Sequence, residues 1–207
     1  MISKIESLFE DYKKIGNDDL VSTIDFVDEH YSLLINFKSD EVNIIEQISI
    51  IFKEYFICLN ELGRFSVIIE KRPEIKSFVE NLNKNSRCFK DCFVEIEYLF
   101  ANALSSNGSE YKKAISVLTN IQTIDPKNEN ISFNLKYAKL NSRRKYYVKF
   151  IIGGLIIAFI GLVARLVNNN RVFLIIDLIG FGIFTLAYLT QNIDEYLTEK
   201  RPTANPQ

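Results

Sequence analysis

The chain has 207 residues, of which 25 are basic and 26 acidic, and 47% are hydrophobic. This near-neutral balance removes any overall electrostatic argument for nucleic acid as a partner. Three cysteines, Cys58, Cys88 and Cys92, make an odd number, which favours reduced thiols over a disulfide framework. The first residues show no continuous apolar run after a basic start, so we expect no secretory signal. The abundance of Ile, Asn and Lys without Trp indicates a bacterial origin.

From residue 1 to about residue 146, apolar residues recur at spacings of three and four, which predicts a run of helices without strands. A first helix is expected before Gly16 and a second around Ile24 to Leu34. The third, from about Val42 to Leu62, is apolar over a broad face. It is therefore predicted to be a central helix with neighbours on several sides.

Gly63 is expected to end the third helix, and Phe65 begins the next. Pro73 is predicted to kink that helix or to start a fresh first turn, because proline lacks a donor and crowds the preceding turn. Ser86 is placed to cap a further helix, which ends at a turn near Gly108.

Residues 98 to 126 carry the pattern of a helix pair. Ala101 in one helix and Ala114 in the next are small, which lets two antiparallel helices approach closely, and Pro126 closes the unit. The stretch resembles a tetratricopeptide repeat, which has about 34 residues. The positions that carry the resemblance are Tyr98, Ala101, Tyr111, Ala114, Ile115, Leu118, Ile121 and Pro126. The resemblance implies an all-α, TPR-like domain of antiparallel helices that binds a protein or peptide.

An earlier part of the chain echoes this unit in a degenerate form. Gly63-Arg64-Phe65 repeats the turn, but Ile68 stands where a small residue is expected and Arg72 where an apolar one is expected. The sequence therefore indicates one good repeat, one degenerate repeat and helices of related packing.

A last helix of the domain is predicted from about Asn130, and nothing breaks it before Tyr147. Two apolar stretches follow, 147–167 and 172–190, and each approaches the roughly 20 residues needed to span a bilayer. They predict a transmembrane helical hairpin, so the lipid bilayer is an expected partner. The remaining residues, 191–207, form a polar tail.

Basic residues crowd the approach to the first apolar stretch, among them Arg143, Arg144, Lys145 and Lys149. The cytoplasmic flank of a spanning helix is enriched in Lys and Arg, so residues 1–146 and the tail are both expected in the cytoplasm. The same side chains suit contact with anionic headgroups, worth about 1 kcal/mol each near the surface. We favour these two roles over a dedicated lipid or nucleic-acid site.

Small residues form one face of the first apolar stretch, at Gly154, Ala158 and Gly161, and the second stretch offers Gly180. Helices in lipid associate through such close approach. Two interpretations stay open, closure of the hairpin on itself and a seam between copies of the chain.

Asp177 lies about 8 Å into the second stretch at 1.5 Å per residue. An unpaired, dry carboxylate there costs on the order of 2.5 to 3.5 kcal/mol. An ion pair with Arg165 on the other stretch is the favoured prediction. The alternatives are that the Asp177 carboxyl is protonated, that it makes a polar contact between subunits, or that it lines a water-filled pore.

The sequence predicts neither catalysis nor a cofactor or metal. His30, the single histidine, lacks further ligands at helical spacing, and Cys88 and Cys92 lie one turn apart without a second pair. No Gly-rich phosphate loop, serine elbow or carboxylate motif occurs.

Two functions are compatible with this layout. The favoured one is a membrane-anchored adaptor or scaffold that presents a helical repeat domain to cytosolic proteins. The other is an oligomeric membrane effector or pore, in which the hairpins assemble and the cytosolic domain senses a trigger.

Overall fold

The computed structural model describes residues 2–16, 19–38, 41–84, 86–107, 110–168 and 171–199. Within these ranges every regular element is an α-helix and none is a strand, which confirms the all-α class. The helices are α1 (Ile2–Tyr12), α2 (Leu20–Ile35), α3 (Val42–Glu61), α4 (Phe65–Val79), α5 (Arg87–Asn107), α6 (Tyr111–Ile124), α7 (Glu129–Asn168) and α8 (Arg171–Glu199). The predicted turn at Gly108 and the end of the polar tail lie outside the described residues.

The chain divides into two compact units, Met1–Ser132 and Phe133–Gln207. The first unit contains α1 to α6, and the second contains most of α7 and all of α8. Helix α7 is continuous from Glu129, as the sequence predicted for the segment before Tyr147.

Two predicted helix signals are confirmed. Gly63 follows α3 with φ +68°, a conformation that glycine adopts at low cost, and the Arg64 amide donates to the Leu59 carbonyl at 2.8 Å. The Ser86 hydroxyl accepts a hydrogen bond from the Phe89 amide at 3.0 Å, which satisfies a free donor at the start of α5.

Helix α4 continues through Pro73, so the expected fresh start at this residue is wrong. Proline removes one backbone hydrogen bond inside the helix. Its ring is exposed, whereas Ile68 before it and Ile75 and Phe78 after it are buried. Packing of this apolar face on both sides of the proline offsets the lost bond.

Helix α3 is the centre of the first unit, as predicted, and contacts α2, α4 and α5. Its Phe52, Tyr55, Phe56 and Leu59 are fully buried. Burying a large apolar side chain contributes roughly 1.5 to 3 kcal/mol, so this helix supplies much of the core.

Helix α5 runs parallel to α3 with an offset of about 42 residues. Side-chain contacts join Tyr12 to Glu54 between α1 and α3, and Asn60 to Asn102 between α3 and α5, and each pair is 42 residues apart. Sequential helices also contact each other from α2 to α6. The offset of 42 residues in both pairs exceeds the 34 residues of a tetratricopeptide repeat.

In the second unit, α8 packs against α7 in the opposite direction. The backbone of α8 approaches α7 so closely that a Cβ at Gly154 would lie 2.7 Å from the Phe184 nitrogen, and one at Gly161 would lie 2.6 Å from the Asp177 nitrogen. Gly180 lies in the same way against Ala158.

The segments Glu129–Leu166 and Leu174–Leu197 are long and apolar enough to cross a membrane. In the most apolar window of each, only 11% and 6% of the residues are buried. Large side chains such as Phe159, Leu178 and Phe181 are instead exposed. These windows are therefore unlike the buried core helix of a soluble protein.

Candidate interaction groove

Two cavities of the first unit flank α3, and together they form what we call the interhelix groove. The first, of about 550 Å³, lies between α3 and the α1–α2 segment and is lined by Tyr12, Lys13, Ile15, Gly16, Leu20, Thr23, Glu54, Ile57, Cys58 and Glu61. The second, of about 580 Å³, lies between α3, α5 and the turn after α6 and is lined by Lys53, Ile57, Lys90, Asp91, Val94, Glu95, Ile124, Asp125 and Asn128. Ile57 belongs to both linings, so the groove crosses α3.

The second cavity combines an apolar surface with charges at its edges. Ile57, Val94 and Ile124 supply the apolar surface. Binding sites typically join such a surface to a few polar groups that fix the orientation of the bound molecule. The second cavity has both components.

Carboxylates outnumber ammonium groups along the groove. Five acidic residues line it against three lysines. Lys13 is paired with Glu10 at 2.7 Å, and Asp91 is paired with Arg87 at 3.6 Å. The groove as a whole thus carries a surplus of negative charge.

Glu95 is a half-buried carboxylate of the second cavity. In the described part of the chain its carboxylate takes part in no hydrogen bond and in no ion pair within 4.0 Å. Burial raises the pKa of the Glu95 carboxyl, and the nearby Lys53 ammonium offsets only part of this shift. A partly desolvated carboxylate without a bonded partner is energetically unfavourable and favours a bound cation.

Glu97, two residues further along α5, has the opposite environment. It is 4% exposed and receives two hydrogen bonds from the Arg72 guanidinium of α4, at 2.8 and 2.6 Å. The Arg72 guanidinium also lies 4.5 Å from the centre of the Phe100 ring. This buried pair explains why a charged residue stands at position 72, where the repeat pattern has an apolar one.

The sequence contains a local signal that Glu97 is buried. Phe93, Glu97, Phe100 and Leu104 share one helical stripe, so Glu97 is a charge within an apolar row. Glu95 lies off that stripe, and nothing in the sequence marks it.

Tyr12, at the end of α1, and Glu54, on α3, both line the first cavity. The Tyr12 hydroxyl donates to Glu54 at 2.5 Å. Burial and this carboxylate raise the pKa of the Tyr12 hydroxyl, so it stays protonated and remains a donor. The contact fixes α1 against α3 at one edge of the groove.

Cys88 and Cys92 lie one turn apart on α5, and His30 lies on α2. The Cys88 and Cys92 sulfurs lie 3.8 Å apart without a disulfide, and burial raises the pKa of the Cys92 thiol to about 12. His30 Nδ1 lies 2.9 Å from the Phe26 carbonyl oxygen. A search of the described residues finds no group of three His, Cys, Asp or Glu side chains able to hold a metal ion.

The residues of the repeat pattern lie on α5, α6 and the turn that follows them. Ala101, Ala114 and Leu118 are buried in two helices that pack against each other. Tyr98 and Tyr111 are half-buried, and Pro126 is exposed in the turn before α7. The Asn102 side-chain amide on α5 donates a hydrogen bond to the Asn60 side-chain oxygen on α3 at 3.4 Å.

The small residues of the second unit lie between α7 and α8, as described above for Gly154, Ala158, Gly161 and Gly180. Asp177 contacts Gly161 through its backbone, and Arg165 is exposed one turn nearer the end of α7. The ion pairs between described residues do not include one between Arg165 and Asp177, so that pairing stays a prediction.

The basic run before the first apolar stretch is partly neutralised by α8. Arg143 lies 3.6 Å from Asp194, and Arg144 lies 4.0 Å from Glu195. The Tyr147 hydroxyl also donates to Asp194, at 2.5 Å. Lys149 is exposed, and the side chain of Lys145 is outside the described part of the chain.

Comparison of the chain with models of known protein families, with curated proteins and with solved structures gives no match.

Proposed function

We propose that this chain is a membrane-anchored adaptor, in which α7 and α8 form a transmembrane hairpin and the first unit binds a segment of a cytosolic protein. The observation that carries the proposal is the interhelix groove, which joins an apolar surface to an excess of carboxylates. Repeated helix pairs commonly use such an extended surface for protein contact.

Anchoring is supported by the contrast between exposed apolar side chains and closely packed backbone in the second unit. In water, exposed residues such as Phe159 and Phe181 would favour aggregation, whereas in lipid they are in a matching solvent. Close approach at Gly154, Gly161 and Gly180 is the usual means by which helices associate in a bilayer.

The TPR-like character of the domain is proposed in a broad sense. The small residues Ala101 and Ala114 support a tetratricopeptide-like contact between α5 and α6. The step of 42 residues between parallel helices reflects the length of α3 and α5, which have 20 and 21 residues.

The oligomeric effector or pore is the second candidate, and its support is the small-residue face of α7 together with Asp177. That face packs against α8 of the same chain, which leaves less of it for contact between copies. The adaptor is therefore the stronger proposal.

The test is site-specific photo-crosslinking of the full chain in cells. A photoreactive amino acid replaces Ile124, which lines the groove and is 37% exposed, and a matched chain carries it at Glu29, an exposed residue of α2 outside the groove. We expect a membrane-associated product with one cytosolic protein from position 124 and none from position 29. A product between two copies from position 124 would favour the oligomeric effector, and a fully soluble chain would reject the anchor.

A further inference from the structure

We propose that the second cavity of the groove binds a cationic side chain of the partner, with Glu95 as its counter-charge and the apolar surface of Ile57, Val94 and Ile124 holding the neighbouring residues. The inference rests on the proposed function of the groove and adds the chemistry of its partner. The expected ligand is a short segment that carries Lys or Arg next to a large apolar residue.

The first support is that interhelical carboxylates elsewhere in the unit are already bonded. Asp28 accepts from Tyr55 at 2.6 Å, Glu54 from Tyr12 at 2.5 Å, and Glu74 from Tyr31 at 2.8 Å. Glu97 is held by Arg72. Glu95 differs from these four, because it is half-buried against a cavity and none of the described residues donates a hydrogen bond to its carboxylate.

The second support is the arrangement of charges around the cavity. Asp91 and Asp125 line it together with Glu95, while Lys53 and Lys90 line it with opposite charge. Lys53 lies near enough to lower the pKa of Glu95 without forming an ion pair within 4.0 Å. A second ammonium or a guanidinium brought by a partner would give the carboxylate the direct hydrogen bonds that it lacks.

The apolar surface explains why a segment, rather than a free cation, is the expected ligand. Val94 lies beside Glu95 on α5, and Ile57 and Ile124 face the same cavity from α3 and from the end of α6. The aliphatic stem of Lys or Arg packs on such a surface while its charged head reaches the carboxylate.

The experiment uses the full chain in nanodiscs of neutral phosphatidylcholine, so that the bilayer itself does not attract basic peptides. Fluorescence polarisation measures the Kd of three peptides of equal length with the same two leucines, in which the central positions are Lys, Gln or Glu. We expect the Lys peptide to bind at least about tenfold more tightly than the Gln peptide, and the Glu peptide to bind most weakly.

Glu95→Gln is expected to remove this difference, since it keeps the shape of the side chain and abolishes the charge. Glu29→Gln, at an exposed residue outside the groove, is the matched control and should leave the difference unchanged. Equal binding of the three peptides, or an unchanged preference for Lys in Glu95→Gln, would overturn the inference.

The peptide-binding experiment and the crosslinking experiment can fail independently of each other. If crosslinking at position 124 identifies a cytosolic partner whose crosslinked segment is neutral or acidic, the adaptor stands and the cationic ligand is rejected. If the Lys peptide binds through Glu95 but no cellular partner is crosslinked, the chemistry of the cavity stands and the adaptor role fails.

Discussion

The two units of the chain pack their helices by opposite means. In the first, large side chains such as Phe52 and Tyr55 fill the space between helices, and polar groups there are bonded. In the second, large side chains such as Phe181 face outward, and the helices meet through backbone at Gly154 and Gly180. Water drives apolar side chains inward, whereas lipid gives no such drive and leaves close van der Waals contact as the source of association.

This contrast predicts which substitutions each unit tolerates. The first unit should be sensitive to a loss of side-chain volume in its core, and the second to a gain of side-chain volume where α7 and α8 meet. Matched pairs of residues in the two units therefore provide direct tests of the contrast.

The largest effect is expected from Phe52→Ala. Phe52 is fully buried on α3, and its removal leaves a cavity and loses burial, for a cost of about 3 to 5 kcal/mol in the free energy of unfolding. Phe181→Ala is the matched change in the second unit, where the ring is 60% exposed, and should cost little. Chemical unfolding of the detergent-solubilised chain, followed by circular dichroism, measures both; equal losses would contradict the contrast.

A slightly smaller effect is expected where the first unit buries charge. Arg72→Met leaves Glu97 buried with Lys76, at 3.9 Å, as its remaining ion-pair partner among the described residues, and should cost about 3 kcal/mol. The double variant Arg72→Met with Glu97→Leu removes both charges and should recover much of the loss. A double variant as unstable as the sum of the two single variants would show that the pair is not coupled.

The helices of the first unit could largely be predicted from the sequence, because their apolar spacing and stop signals are local. Gly63 and Ser86 are examples, since each acts on its own helix end. The course of α4 through Pro73 could not be predicted in this way, because it depends on packing by residues from other helices.

The candidate site was harder to predict than the helices. Arg72 and Glu97 are 25 residues apart in the sequence and join two helices. Each residue alone is a charge at a position where the helical pattern has an apolar residue. The surroundings of Glu95 include Lys53, Ile57 and Asp125, which are distant in the sequence and which the fold brings to one cavity. The repeat resemblance indicated a binding surface but not its location.

Added side-chain volume at Gly180 tests the close contact between α7 and α8 in the second unit. A Cβ at Gly180 would overlap the backbone of Ala158, so Gly180→Val should separate α7 from α8 at a cost of roughly 1 to 3 kcal/mol. Gly182→Val is the control two residues away, because a Cβ there has no neighbour within 4 Å among the described residues. The distance between spin labels at residues 148 and 193 should lengthen in the first variant only. Lengthening in both would assign the effect to helix propensity instead of contact.

The smallest effect, and one of opposite sign, is expected at Glu95, the half-buried carboxylate of the second cavity. Glu95→Gln should raise the free energy of unfolding at pH 7 by up to roughly 0.5 kcal/mol, because it removes a charge that burial disfavours.

Its pH dependence follows from the raised pKa of Glu95. The protonated carboxyl contributes stability that is fully present below the ordinary pKa of glutamate and is lost as the pH rises through the raised value. The advantage of Glu95→Gln should therefore be seen at pH 7 and vanish near pH 4, and unfolding of both proteins across this range measures it. The other charges of the cavity, Lys53, Lys90, Asp91 and Asp125, are common to both proteins, so their titration largely cancels in the difference. A loss of stability in Glu95→Gln at pH 7 would mean that Glu95 supports the fold, and the free chain would then have no open charge to offer a partner.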